Sequence, residues 1–237
     1  MSDPRRRRSV SQTHLDDLLT AQLAAWALDH PGRDVVDLGG GTGGMAMDLA
    51  ADGYRVRVVD PSPDALAALE RRTAERGLAD RVSAVQGDAT ELVDLIGTES
   101  ADLVVCHKVL EVVEDPAEAL AAIASVLRPG GALSLVVAQR HAAVLTQALA
   151  GHIAQARRIW NDPRWFDRES VLAAVAAAGL EVRATHGVGT VAGHVTESVL
   201  EAASGGQAEL LELETEVAAD PAFQAVAPHL HLFAVKR

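Results

Sequence analysis

Between residues 34 and 137, short β-branched runs alternate with longer alanine-rich stretches, the pattern of a parallel sheet covered by helices. The runs Asp34–Leu38, Arg55–Asp60, Val82–Gln86, Asp102–Cys106 and Ala132–Val137 read as five strands. Two more follow near Glu181–His186 and His229–Val235, separated by a helix through Leu210, Leu211 and Leu213. Helix starts are marked by Ser62 ahead of Pro63, and by Asp115-Pro116-Ala117-Glu118, which has the layout of a capping box. Leu120, Ile123 and Leu127 then form a buried stripe at helical spacing, and Arg128-Pro129-Gly130-Gly131 turns the chain into the fifth strand.

The rhythm breaks at about residues 139–166. That stretch predicts an inserted, lid-like helix from Ala142 to Ile159 and a loop through Asn161-Asp162-Pro163-Arg164. Asp167 then caps another helix, with Phe166 and Val171 spaced as a hydrophobic staple. Residues 1–14 read as a flexible tail, because Asp3 and Pro4 discourage a helix and Arg5 to Arg8 form a solvated charge run. Residues 15–237 read as one domain with seven strands.

Composition narrows the class. Of 237 residues 49% are hydrophobic but only 3% aromatic, so alanine-rich helices carry much of the apolar content. No apolar stretch reaches the roughly 18 residues that a membrane span needs. The single cysteine, Cys106, can form no internal disulfide, and the expected compartment is the cytoplasm. A net charge of −12 argues against a surface coated for non-specific nucleic-acid binding, although it leaves room for a local basic patch. The nine histidines show no metal-protease spacing and the carboxylates no metal cluster, so no metal is expected.

The chemistry gathers at strand ends. Asp37-Leu38-Gly39-Gly40-Gly41-Thr42-Gly43-Gly44 follows the first strand, and glycines there let backbone approach a ligand closely. Gly39, Gly41 and Gly44 also satisfy the dinucleotide fingerprint, so the glycine motif alone is ambiguous. Asp60 ends the second strand about 20 residues on, where a carboxylate can accept from a ribose diol. Gln86-Gly87-Asp88-Ala89 ends the third, where Asp88 can accept from an adenine amino group. His107-Lys108-Val109 ends the fourth. Taken singly, Asp60 and Asp88 could equally cap turns; together with the glycine turn they favour binding.

On Asp37 to Gly43, Asp60, Gly87-Asp88-Ala89 and Arg128-Pro129-Gly130-Gly131 the chain resembles the class I methyltransferases. The resemblance implies an α/β, Rossmann-like fold with a mostly parallel seven-stranded sheet of order 3-2-1-4-5-7-6, and S-adenosyl-L-methionine as cofactor. It implies that Gly39, Gly40 and Gly41 face the methionine portion, Asp60 the ribose, Pro61 the adenine ring and Asp88 its amino group, with Asp37, Gly87, Ala89 and His107 completing the binding set.

A narrower resemblance, to the tRNA 5-carboxymethoxyuridine methyltransferases, runs through His107–Pro116, Val126–Gly131, His141, Leu210–Thr215 and His229-Leu230-His231. It implies methylation of a carboxylate oxygen on a wobble uridine, with tRNA as partner. The chain departs from that family in Ala138-Gln139, in an insertion reduced to Arg157, Arg158, Arg164 and Arg168, and in Thr190-Val191-Ala192-Gly193-His194. Lys108 and His141, each following a strand, are the expected acceptor-positioning residues, and Arg140 and Arg158 are further candidates. Trp160 and Trp165 flank the insertion loop as lid anchors or stacking surfaces. A small-molecule O-methyltransferase and a non-catalytic cofactor-binding module are the alternatives. Cys106, inside a strand and lacking a preceding proline, reads as a buried hydrophobe.

Overall fold

The computed structural model describes residues 9–196, 199–200 and 205–237. Seven strands form one sheet in the order β3-β2-β1-β4-β5-β7-β6. They are β1 (Asp34–Leu38), β2 (Arg55–Asp60), β3 (Val82–Gln86), β4 (Ala101–His107), β5 (Leu127–Ala138), β6 (Leu180–Val188) and β7 (His229–Lys236). The pairs β1–β2, β1–β4, β2–β3 and β4–β5 are parallel. Central strands buried on both faces need continuous apolar runs, and Val35, Val36, Val104 and Val105 supply them at 0–3% exposure.

The chain divides into two compact units. The first comprises Ala27–Val136, Leu172–Arg183 and Leu232–Arg237. Helices α2 (Gly44–Ala51), α3 (Pro63–Glu75), α4 (Leu92–Ile96) and α5 (Pro116–Val126) lie in it between successive strands. The capping signals work as the chemistry requires: Ser62 accepts from the Ala65 N–H at 3.2 Å, and Asp115 accepts from Ala117 and Glu118 at 2.8 and 3.1 Å. Val36, paired with both Arg57 and Val104, marks the middle of the sheet. Strand order reverses between β1 and β4, and in such sheets ligands bind outside the carboxyl ends of the strands at that point.

The second unit holds α1 (Val10–Trp26), Val137–Val171 and Ala184–His231. It includes α6 (Arg140–Leu149), α7 (Ile153–Asn161), a 3-10 turn at Ala192–His194, α9 (Gly206–Val217) and the short α10 (Pro221–Gln224). Helix α8 (Arg168–Ala177) starts in this unit. Asp167 and Ser170 cap it reciprocally, each accepting the other's backbone N–H at 2.8–2.9 Å.

Three expectations are corrected. Helix α1 begins at Val10, so the tail cannot run to residue 14: Val10, His14 and Leu15 already bury one face of an amphipathic turn. Residues 1–8, with Arg5 to Arg8, lie outside the described residues. The insertion is two helices, not one, because Gly151 adopts φ 82° between α6 and α7 and reverses the chain. Strand β5 starts at Leu127 rather than Ala132. Leu127 pairs with Ala101 and Ala132 with Leu103, so residues 128–131 bulge from the ladder instead of forming a separate turn.

Candidate active site at the strand ends

The glycine turn after β1 is shaped by conformation and by crowding. Gly39, Gly41 and Gly43 have φ of 71°, 55° and 75°, the left-handed region that glycine enters at no steric cost. A Cβ on Gly39 would lie 2.4 Å from Val109 Cγ2, one on Gly43 2.0 Å from Leu69 Cδ1, and one on Gly40 2.4 Å from Asp37 Oδ2. Beside Gly41 the space is open, with Asp60 Oδ2 the nearest atom at 3.9 Å, and nothing lies within 4 Å at Gly44. Arg72 donates to the carbonyl and hydroxyl oxygens of Thr42 at 2.6 and 2.9 Å and braces the turn from α3.

Two carboxylates sit under this turn. Asp60 is 8% exposed; its Oδ2 accepts from the Gly41 N–H at 2.8 Å and its Oδ1 from the Ser62 N–H at 2.9 Å. Capping and ligand binding are therefore compatible there, since each carboxylate oxygen keeps a second lone pair. Asp37 is 4% exposed, and its Oδ2 is buried with no hydrogen-bond partner. Burial, then the nearby Asp60 charge, push the Asp37 carboxyl up to about 7.

The remaining residues of the expected binding set are spread over the same strand ends. Gly87 donates its N–H to the Asp60 carbonyl at 3.3 Å, joining the ends of β2 and β3. Pro61 and Asp88 are exposed. Asp88 Oδ1 accepts from the Thr90 N–H and hydroxyl at 2.8 and 2.6 Å, which holds its carboxyl below the usual range. Ala89 is buried at 2% exposure. His107 Nε2 lies 2.9 Å from Ser134 Oγ, and burial, with the charge of Lys108 behind it, lowers the imidazole to about 3, so the ring is neutral at physiological pH. Lys108 is exposed at φ 60°, and its N–H donates to the Val136 carbonyl at 2.8 Å. A left-handed lysine is strained by roughly 1–2 kcal/mol relative to a residue in its ordinary region. Cys106 is fully buried and its thiol is pushed up by burial, so it is no nucleophile.

Residues 36–135 match the family model described as a methyltransferase domain. A ubiquinone biosynthesis O-methyltransferase of Burkholderia thailandensis is 31% identical over 162 residues, covering 67% of this chain and 68% of that protein. The chain belongs to the class I S-adenosylmethionine-dependent methyltransferase family. The tRNA 5-carboxymethoxyuridine methyltransferase of Escherichia coli K12 is 33% identical over 118 residues, 50% of this chain; the chain spans about half of that relative's length, 45%. A geranyl diphosphate methyltransferase in complex with S-adenosylmethionine shares the fold, with a TM-score of 0.59 at 18% identity over 91% of this chain and 85% of that one. As a class I methyltransferase, the chain has S-adenosyl-L-methionine as its cofactor.

Of the acceptor-side candidates, Lys108 lies in the first unit and the others in the second. His141 is half-buried in the first turn of α6, with its ring 6.0 Å from that of Trp160. Arg140 is partly buried. Its guanidinium donates twice to the Trp165 carbonyl at 2.6 and 3.2 Å and lies 3.6 Å from Asp167, so it holds the insertion loop onto α6. Arg157 and Arg158 are exposed on α7, whereas Arg164 is engaged by Asp162 at 2.8 Å. His231 is buried and stacks on His186 at 5.7 Å, a packing role. Among the described residues no group of three or more His, Cys, Asp or Glu is placed to hold a metal, and no helix is long and apolar enough to cross a membrane. Sequence reasoning missed one site: Glu214, fully buried on α9, whose significance depends on partners 22–24 residues away.

Proposed function

We propose that this methyltransferase moves the cofactor's methyl group to an oxygen, and that the acceptor is the carboxylate of 5-carboxymethoxyuridine at a tRNA wobble position. The observation that carries the cofactor half is Asp37 Oδ2, buried and unpartnered beneath a glycine turn with open space above Gly41 and Gly44. A buried acceptor without a donor is costly, and a cationic ligand group would relieve it. In this reading Asp37 meets the cofactor's positive charge and Asp60 offers its remaining lone pairs to the ribose hydroxyls. Gly39 to Gly41 give backbone access, Gly87, Asp88 and Ala89 line the adenine end beside Pro61, and the neutral His107 borders the methionine portion.

The cofactor supplies an electrophilic methyl group on an already activated sulfonium leaving group. What remains for the protein is alignment, which can be worth about 7–11 kcal/mol for well-oriented reactants. A carboxylate acceptor needs no base. It needs a cation or donor near its oxygens, and Lys108 and His141 are assigned that work, with His141 beside the half-exposed Trp160 as a surface for the base. The likeness to the tRNA 5-carboxymethoxyuridine methyltransferase supports this acceptor.

A second reading, a small-molecule O-methyltransferase, is favoured by the longer match to the ubiquinone biosynthesis enzyme and by the engagement of Arg164 with Asp162. Methyl-labelled cofactor, incubated with the protein and tRNA bearing 5-carboxymethoxyuridine, separates the two. Label in the wobble nucleoside as a base-labile ester supports the tRNA reading. Its absence, with cofactor bound, moves the assignment to a small acid or hydroxyl compound.

A further inference from the structure

Outside the cofactor site, the second unit contains a buried ionisable group with no evident part in binding cofactor. Glu214, in the middle of α9, has no exposed surface. Its Oε1 accepts from the Thr190 N–H at 2.7 Å, and its Oε2 accepts from Val191 and Ala192 at 2.8 and 2.9 Å. Three consecutive backbone donors thus converge on one side chain. His14 of α1, itself 1% exposed, places Nδ1 4.0 Å from Oε1, and neither of its ring nitrogens has a hydrogen-bond partner.

A buried carboxylate is an expensive way to fill a core, and an apolar residue of similar size is often at least as stabilising. What a carboxylate supplies here is geometry: three N–H groups must point inward, which fixes the backbone of the segment that follows β6. The rest of that segment is moulded too. Gly189 sits at φ 76°, where an added Cβ would come within 3.1 Å of Ser11 Oγ, and a Cβ on Gly193 would meet Pro228 at 3.3 Å. Gly193 and His194, at the outer end, are exposed. The Gln224 carbonyl accepts from Gln139, which follows β5, at 2.6 Å, and the Gln224 side chain donates to the Thr185 carbonyl in the later part of β6 at 2.7 Å. Strands β5 and β6 therefore end on the same side, and open α/β folds bind ligands outside the carboxyl ends of strands.

We infer that Glu214 is a positioning residue for acceptor binding: it holds Gly189–His194 in the shape that receives the acceptor, and takes no part in binding the cofactor. The inference rests on the reading of the protein as a transferase whose acceptor is bound by the second unit. Glu214→Gln presents an amide N–H2 where a backbone N–H needs an acceptor, and Glu214→Asp keeps the charge but retracts it by one methylene.

The test uses the full chain. Hydrogen exchange of the Thr190–Ala192 amides, S-adenosylhomocysteine affinity, and KM and kcat with 5-carboxymethoxyuridine tRNA are measured for both variants. For Glu214→Gln, exchange accelerates at those three amides, acceptor KM rises about tenfold, and kcat and S-adenosylhomocysteine affinity stay within about twofold. Glu214→Asp recovers part of the KM. Exchange that is unchanged at 190–192, or a cofactor affinity that falls together with acceptor binding, overturns the inference. Wild-type protein that labels no tRNA sinks the acceptor assignment instead. Amide exchange and S-adenosylhomocysteine affinity then decide the role of Glu214 by themselves, because exchange must accelerate at 190–192 with affinity held.

Discussion

Asp60 Oδ2 accepts the Gly41 N–H at 2.8 Å, so the end of β2 fixes the turn that leaves β1. One side chain therefore shapes the backbone that must approach a cofactor and borders the space beside it. Loss of the carboxylate should lower cofactor affinity even if no ribose contact were made. Asp60→Asn leaves an acceptor oxygen and should retain more affinity than Asp60→Ala. Calorimetric titration with S-adenosylhomocysteine checks the order, and equal losses would remove the turn-holding role.

Asp37 links pH to both stability and binding. Its folded value near 7 lies above its ordinary value of 3.8, so the native state holds a proton that the unfolded chain has released. The corresponding stability is present below about pH 4 and is lost as pH rises through 7. A cationic ligand favours the carboxylate, so cofactor affinity should increase from pH 6 to pH 7.5, by up to about tenfold per pH unit below 7. Asp37→Asn should flatten that dependence and weaken binding while leaving the apo fold at least as stable near pH 8. A wild-type affinity indifferent to pH over this range would count against the assignment.

His107 acts in the opposite direction. Its imidazole is lowered to about 3 from an ordinary 6.5, so it contributes stability above pH 6.5 that drains away as pH falls toward 3. His107→Gln, which can still bond Ser134, should be less sensitive to acid than wild type. Denaturant midpoints at pH 7 and pH 5 measure the difference.

Lys108 separates fold from function. Lys108→Gly removes the left-handed strain and should stabilise the protein by about 1 kcal/mol, while methyl transfer falls if the ammonium positions an acceptor oxygen. Unfolding midpoints and turnover should move in opposite senses. Unchanged turnover would leave Lys108 as a loop residue only.

Gly39 tests crowding against conformation. Gly39→Ala meets Val109 and also places alanine at φ 71°, a combined cost of about 2 kcal/mol or more. Adding Val109→Ala should recover the contact part alone. Full recovery in the double variant would mean that backbone strain is negligible there.

The first three strands were legible to the residue, because β-branched runs bounded by glycine, proline or charge leave little choice of register or length. The places of the Gly39–Gly43 turn and of Asp60 and Asp88 after strand ends were equally legible, since they depend on local order along the chain. The insertion was less so. Its alanine-rich helix could have run unbroken to Ile159, and the break at Gly151 costs little to either arrangement in isolation. Arg140 could not be placed from sequence either, because its partner is a carbonyl 25 residues away.

By itself the sequence determined the existence of the strands, the helices between β1 and β5 and the family resemblance, because hydrophobic period, caps and glycine spacing act over a few residues. The tertiary structure decided the charge states and the shapes at the site. Asp37 is pushed up to about 7 because it is desolvated beside Asp60, His107 stays neutral because it is desolvated against Ser134, and Glu214 acquires a role because Thr190–Ala192 wrap around it. Desolvation and convergent hydrogen bonds are properties of which distant segments meet, and no local pattern in the chain encodes them.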